Sequence, residues 1–293
     1  MRNRWLAGDR LPARPSGLWT QEKLGYVERY ASAFMVAMHP KRREGKWEQL
    51  VYIDLLAGPG KGVDRKSRVE FDGSPLRALR VSPAFDRLFL GDKSEASVRA
   101  LRARIPAGDR SRVEIEAGDC NVRASRLIET LSQRTLGLAF VDPQGFEVTF
   151  SMLKTLAQRP IDLLLFFPSA IGIRRNLRQF VAQEQSPMDA FWGGKDWREL
   201  PPARLAAGKR LSATEVDALD RPWVSRFREK MAGIGFQAQD EGDPCFRNKK
   251  NAPMYLARMG TSWRLYKKEA IAEPIGRLQL STFFRWSMTK CRL

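Results

Sequence analysis

Histidine is almost missing from this sequence: the single copy, His39, sits beside Pro40. A Ser-His-Asp triad or a histidine-built metal site therefore has nearly nothing to be built from, and no metal is expected. Cysteine is scarce too. Cys120, Cys245 and Cys291 lie far apart without a Cys-x-x-Cys pair, which excludes a zinc knuckle or a disulfide framework and leads us to expect a reducing, cytoplasmic setting. Long apolar runs are also absent. The most apolar stretch, residues 161–168, is the length of a strand and too short for a bilayer. The first fourteen residues mix arginines with prolines and lack the apolar centre of a signal peptide, so no membrane association is expected. A phosphate-loop nucleotidase is excluded as well, because Gly58-Pro-Gly-Lys-Gly62 has neither the spacing nor the hydroxyl of that motif.

Positive charge, by contrast, is abundant. The 293 residues carry 51 Lys and Arg against 33 Asp and Glu, a formal charge of +18. Clusters recur at Arg2/Arg4, Lys41-Arg42-Arg43, Arg99/Arg102/Arg104, Arg174-Arg175/Arg178, Lys209-Arg210 and Lys249-Lys250, so the charge is not one tail. A distributed basic surface fits phosphate contacts and points to a nucleic acid or another polyanion. Merely solvated basic faces on an arginine-rich protein would look the same. With 43% hydrophobic residues the chain has ample material for a core.

Along the chain, residues 1–18 read as an irregular arm. From Trp19 to Met38, apolar residues recur at helical spacing, with Thr20 as a cap and the basic loop 40–46 as the end; arm and helix together make a leading region, 1–48. Residues 49–182 then alternate strands with helices. Apolar runs at 50–56, 87–92, 113–119, 136–142 and 161–168 follow one another, the first closed by Ala57-Gly58-Pro59-Gly60 and the others ending in Asp or Pro, with helical patterns at 94–105, 121–133 and 150–157 and after Gly73. This is the pattern of a mostly parallel α/β sheet covered on both faces. Residues 183–222, rich in Pro and Gly with Trp192 and Trp197 between them, read as a small inserted helical region or lid. Residues 223–293 complete the chain: a helix to Gly233, strands at 236–246 and 253–259 forming an antiparallel pair that brings the sheet to seven strands, and a last helix near 263–271.

The chemistry-bearing residues stand at the strand ends. Tyr52-Ile-Asp-Leu-Leu-Ala-Gly-Pro-Gly-Lys-Gly62 ends the first strand in a glycine turn of Ala57, Gly58, Pro59 and Gly60, where a side chain would block close approach of a ligand. Asp54 precedes that turn, placed to reach the charged end of a cofactor. Asp92, followed by Lys93, ends the second strand, where a carboxylate accepts hydrogen bonds from ribose hydroxyls. Gly118-Asp119-Cys120 ends the third, with Asp119 placed for an adenine amino group. Ligands bind outside the carboxyl ends of parallel strands, so three acidic tips define one crevice; a set of turn-forming aspartates is the alternative. After the fourth strand comes Asp142-Pro143, candidate catalytic residues. A carboxylate beside freed backbone carbonyls can orient the N–H bonds of an acceptor nitrogen, and Asp142 would also face the cofactor. The aromatics Trp192, Trp197, Trp223, Phe283, Phe284 and Trp286 read as packing residues more readily than as base-stacking platforms.

These pieces resemble the three-Cys-motif partner (TcmP) family, within the class I S-adenosylmethionine-dependent methyltransferases. The matching segments are Trp19, Lys23-Leu24 and Tyr30 in the leading helix, Tyr52 to Gly60, Gly73-Ser-Pro-Leu76, Gly118-Asp119 with Asn121, Leu138 to Gly145, and Asp162 to Pro168. The resemblance covers residues 19–170 well and the remainder loosely. It implies a Rossmann-like class I methyltransferase fold with S-adenosylmethionine held by Asp54, Gly58 and Gly60, its ribose on Asp92 and its adenine on Asp119, and a partner protein encoded alongside. Asp142-Pro143 is similar to the start of the Asp-Pro-Pro-aromatic motif of amino-methylating nucleic-acid enzymes. Gln144 and Gly145 depart from that motif and remove the aromatic that stacks on a flipped base, with Phe146 the nearest replacement. A nucleic acid is thus the expected substrate. A small molecule or peptide, or a non-catalytic role beside another protein, stands as the alternative.

Overall fold

The computed structural model describes residues 5–167, 174–200, 213–238, 245–247 and 253–260. In chain order it runs β1 (Arg14–Ser16), α1 (Leu18–Arg43), β2 (Gln49–Asp54), β3 (Lys61–Asp64), β4 (Glu70–Asp72), α2 (Ser74–Leu79), β5 (Arg87–Asp92), α3 (Glu95–Arg104), β6 (Val113–Ala117), α4 (Cys120–Thr130), β7 (Thr135–Val141), α5 (Phe150–Leu156) and β8 (Ile161–Phe167). Then follow α6 (Arg174–Ala182), α7 (Pro187–Trp192), α8 (Ala213–Gly233), β9 (Gln237–Ala238), β10 (Cys245–Arg247) and β11 (Pro253–Gly260).

Strands β6-β5-β2-β7-β8 pair in that order and all run parallel. The order reverses at β2, whose neighbours β5 and β7 lie on opposite sides, and the carboxyl ends of the strands open a crevice there. β11 is antiparallel to β8, and both β9 and β10 pair antiparallel with the other edge of β11. The sheet is thus the expected Rossmann-like α/β architecture, with five parallel strands and an antiparallel margin. It has eight strands instead of seven because the run expected at 236–246 pairs as two short pieces, opposite 259–260 and 253–255.

Period-two alternation within the strands sorts their side chains onto two faces. Leu50, Tyr52, Leu88, Leu90, Leu138, Phe140 and Leu164 pack under α1, α2 and α3. Val51, Ile53, Phe89, Ala139, Val141, Leu163, Leu165 and Phe167 pack with residues of α4, α5, α7 and α8. Strands apolar on both faces are what a doubly covered parallel sheet demands. The inserted region and the helix running on from it pack into the second face: Trp192, Trp197 and Trp223 are 0%, 0% and 2% exposed, so these three are packing residues. Phe283, Phe284, Trp286 and the helix expected near 263–271 lie outside the described residues.

Three local expectations change. The leading helix starts at Leu18 with Gly17 as its cap, not Thr20, whose N–H donates to Gly17 O at 3.0 Å. It continues through Pro40 to Arg43, since a proline in the last turns removes one bond and Glu44 still closes onto Pro40 O at 3.0 Å. Part of the arm is ordered structure. β1 joins β3 and β4 in a separate three-stranded sheet, with Arg14 opposite Gly62 and Ser16 opposite Asp64. Among the described residues, no helix is long and apolar enough to cross a membrane.

Candidate functional site

The chain leaves β2 at Asp54 and bends through Leu55 to Gly60. Gly58 and Gly60 take φ values of +66° and +89°, which L side chains avoid. At Gly60 a Cβ would also come within 2.9 Å of Leu101 Cδ1, so the close packing of α3 on the turn depends on a bare backbone. Asp54 anchors the turn from behind. Its side chain is 1% exposed, accepting from Ser74 Oγ at 2.6 Å and from the Leu56 N–H at 3.2 Å. Burial pushes its carboxyl up to about 7, against the opposing pull of those two hydrogen bonds.

The three turns at the carboxyl ends of β2, β5 and β6 are tied to one another, chiefly through Asp92. Its Oδ2 accepts from the Gly58 N–H at 3.0 Å, its Oδ1 from the Ser94 N–H at 2.8 Å, and its backbone carbonyl from the Gly118 N–H at 3.1 Å. Ala57 donates to Gly91 O at 2.8 Å. Asp119 caps α4 with Oδ1, which accepts from the N–H groups of Asn121 and Val122. Burial works to raise its pKa, but the hydrogen bonds from the Asn121 side chain and from the backbone, with the charge of Lys93, hold it below the ordinary value.

Above these turns lies a cavity of about 410 Å³. Leu56, Gly58 and Pro59 line it from the first turn, Asp92 and Lys93 from the second, and Gly118, Asp119 and Cys120 from the third; Ser97, Gln144, Glu147 and the arm residues Pro12, Ala13 and Arg14 complete it. Of the residues singled out in the sequence, Gly58, Pro59, Asp92, Lys93, Gly118, Asp119 and Cys120 therefore meet at one hollow. Asp54, Ala57, Gly60, Asp142 and Pro143 are not in its wall. Asp54 is turned inward to Ser74, Ala57 is bonded to β5, and Gly60 is packed under Leu101.

Asp142 has a different partner. Lys23 Nζ lies 2.5 Å from its Oδ2, and the lysine side chain is 3% exposed while that of Asp142 is 17% exposed. The ammonium also sits 4.8 Å from the Trp19 ring centre and 4.5 Å from that of Phe166. Burial lowers the pKa of Lys23, while the carboxylate of Asp142 resists that fall. Behind Asp142, Pro143 is buried. The Gln144 and Gly145 N–H groups donate to Glu147 Oε1 and Oε2 at 2.6 and 2.7 Å, so one carboxylate braces the whole bend. Asn121 splices this loop to α4, donating to Glu147 O at 2.8 Å and accepting from Thr149 N and Oγ1 at 2.9 Å.

Phe146 is not a free platform. Its ring stands edge-on to Phe180 at 5.1 Å and to Phe191 at 5.6 Å, which fastens the loop to α6 and α7. Sequence reasoning assigned no role to Arg14, Lys23, Ser74, Asn121 or Glu147. Lys23 and Asn121 stood within the resembling segments; Arg14 and Glu147 carried no local signal. Among the described residues, no cluster of three His, Cys, Asp or Glu side chains is placed to hold a metal ion.

No protein-family model matches the chain, and no curated protein matches its sequence. Solved structures do resemble it in outline. EvdMO1 is 14% identical with a TM-score of 0.38 over 80% of this chain; the chain spans only 40% of that protein's length. A candidate RNA methyltransferase from Pyrococcus horikoshii is 9% identical with a TM-score of 0.40, covering 86% of this chain and 94% of its own. The magnesium protoporphyrin IX methyltransferase of Synechocystis PCC 6803, solved with S-adenosylhomocysteine, is 11% identical with a TM-score of 0.39, covering 81% and 83%.

Proposed function

We propose that the protein is an S-adenosylmethionine-dependent methyltransferase whose acceptor is a nucleic acid. The observation that carries this reading is the cavity itself. Its volume falls within the range of small-molecule sites, it lies at the switch in strand order, and it sets a bare left-handed glycine beside two aspartates on neighbouring strands. The donors fit such a cofactor. Both oxygens of Asp92 keep a lone pair after accepting from Gly58 and Ser94, enough for two ribose hydroxyls. Asp119 keeps Oδ2 for an adenine amino group, because its helix-capping bonds use Oδ1.

S-adenosylmethionine, when bound, supplies an electrophilic methyl group. The chain's part is to position and to balance charge. Asp142, held by Lys23, presents a fixed carboxylate that accepts an N–H of the acceptor and aligns its lone pair; no strong base is needed. The basic surface, +18 overall, supports a polyanionic acceptor. The resemblance of the segments named above to the three-Cys-motif partner family points to the same cofactor and to a protein partner. A small-molecule or peptide acceptor is the second reading. What favours it is Phe146, locked against Phe180 and Phe191 with no aromatic at Gln144 to stack on an extruded base.

Calorimetry with S-adenosylhomocysteine is expected to show one site, lost in Gly58→Trp and strongly weakened in Asp92→Ala. Unaltered binding in both variants overturns the site. Incubation of labelled-methyl cofactor with fractionated cell extract then asks whether tRNA, rRNA, DNA, protein or small molecules take up label; label confined to small molecules or protein overturns the nucleic-acid acceptor.

A further inference from the structure

Pro12, Ala13 and Arg14 precede the large sheet in sequence, yet they form one wall of the cavity. The segment is held there by more than one device. β1 pairs with β3. Arg104, whose side chain is 4% exposed, donates from Nε and Nη2 to the Asp9 carboxylate, each at 2.8 Å. From Nη1 it donates to Pro12 O at 2.8 Å and to Pro59 O at 2.5 Å. A single guanidinium thereby bolts the arm to the glycine turn. Arg14 is presented by a fixed strand, not by a loose terminus.

The guanidinium of Arg14 lies across Gly58, with Cζ and Nε 3.6 Å from the point where a side chain of Gly58 would begin. With its carboxamide oxygen turned toward Arg14, Gln144 accepts from Nη2 at 2.6 Å and from Nε at 2.8 Å. Gln144 is neutral, and among the described residues no carboxylate lies within ion-pair distance of Arg14. Within the cavity wall Asp92 and Asp119 stand on two strand ends with Lys93 acting on Asp119, while Arg14 and Gln144 stand over the glycine turn and the Glu147 carboxylate is taken up by the Gln144 and Gly145 N–H groups. A ligand matched to both regions carries hydroxyl and amine donors at one end and an anion at the other. A planar, permanently charged fork is suited to a carboxylate.

We propose that Arg14, supported by Gln144, receives the carboxylate of the cofactor's amino-acid end, so that the segment ahead of the sheet is part of the cofactor site. This rests on the cofactor reading above. The assignment seats the fork over Gly58, whose φ of +66° favours glycine. It also gives Gln144, the departure from the Asp-Pro-Pro-aromatic pattern, a positive role as the neutral brace of the fork.

The test is calorimetry on the full chain with two probes, S-adenosylhomocysteine and 5′-methylthioadenosine, which keeps the adenosine and sulfur but lacks the amino acid. Arg14→Ala is expected to weaken S-adenosylhomocysteine by roughly 10- to 100-fold, the value of a hydrogen bond to a charged group, and to leave 5′-methylthioadenosine unchanged. Arg14→Lys, which keeps the charge without the fork, should recover part of the loss. Undiminished S-adenosylhomocysteine affinity in Arg14→Ala, or an equal loss for both probes, overturns the assignment while the cofactor reading stands. If neither probe binds the unaltered protein, the cofactor reading fails and takes the assignment with it.

Discussion

Asp54 and Lys23 are buried ionisable side chains near the proposed chemistry, and each makes a distinct prediction. The Asp54 carboxyl, pushed up to about 7 from 3.8 by burial, holds its proton more tightly in the folded protein than in the unfolded chain. Its contribution to stability is therefore fully present below 3.8 and is lost as pH rises through 7. Asp54→Asn keeps the shape and can accept from the Leu56 N–H while its amide NH₂ donates to Ser74 Oγ, but it cannot ionise. Urea unfolding should show the unaltered protein losing up to about 1.4 kcal/mol per pH unit across that window relative to the variant. Parallel pH profiles would show that Asp54 ionises freely in the fold. Lys23 makes the second case. Lys23→Met removes the cation paired with Asp142, at a cost of about 3 kcal/mol, while Lys23→Met with Asp142→Leu should regain most of it because no charge is left unpaired. Denaturant midpoints measure both; additive losses in the double variant would mean that the pair is not coupled.

At the level of elements, the parallel strands were legible because each is a short apolar run bounded by Gly, Asp or Pro, and the strands observed from β5 to β8 lie within a residue or two of the runs that announced them. The acidic tips of β5 and β6 could be placed for the same reason. The three-stranded sheet of the arm could not, since β1, β3 and β4 are only three or four residues long and β1 takes its identity from a pairing some fifty residues away, Arg14 with Gly62. Nor could the inward turn of Asp54 be read, because its partner Ser74 comes from the start of α2. The arm has its own prediction. Arg104→Met deletes the hydrogen bonds to Asp9, Pro12 and Pro59, and should cost about 2–4 kcal/mol while exposing the arm to trypsin at Arg10. Unchanged cleavage kinetics would show that β1 alone holds the segment.

For the molecule as a whole, the surplus of positive charge makes the acceptor class testable by salt. Several arginines are already spent on neighbours: Arg80 on Asp72, Arg87 on Glu114, Arg99 on Glu95, Arg42 on Asp86. Such exposed pairs contribute little to stability and do not diminish the surplus, which is 51 − 33 = 18 for the full chain. At the end of α1 the run Lys41-Arg42-Arg43 leaves Lys41 and Arg43 outside every such ion pair among the described residues, so both can meet phosphates. If the acceptor is a nucleic acid and roughly six to ten phosphates are engaged, affinity should fall about 10³- to 10⁵-fold between about 50 and 200 mM salt. The variant Lys41→Glu with Arg43→Glu should then lower the slope of log affinity against log salt by about two, with no change in S-adenosylhomocysteine binding. Filter-binding titrations with unmodified tRNA and duplex DNA measure that slope. A flat salt dependence for both would transfer the assignment to a small-molecule or peptide acceptor, because phosphate contacts cannot form without releasing counterions.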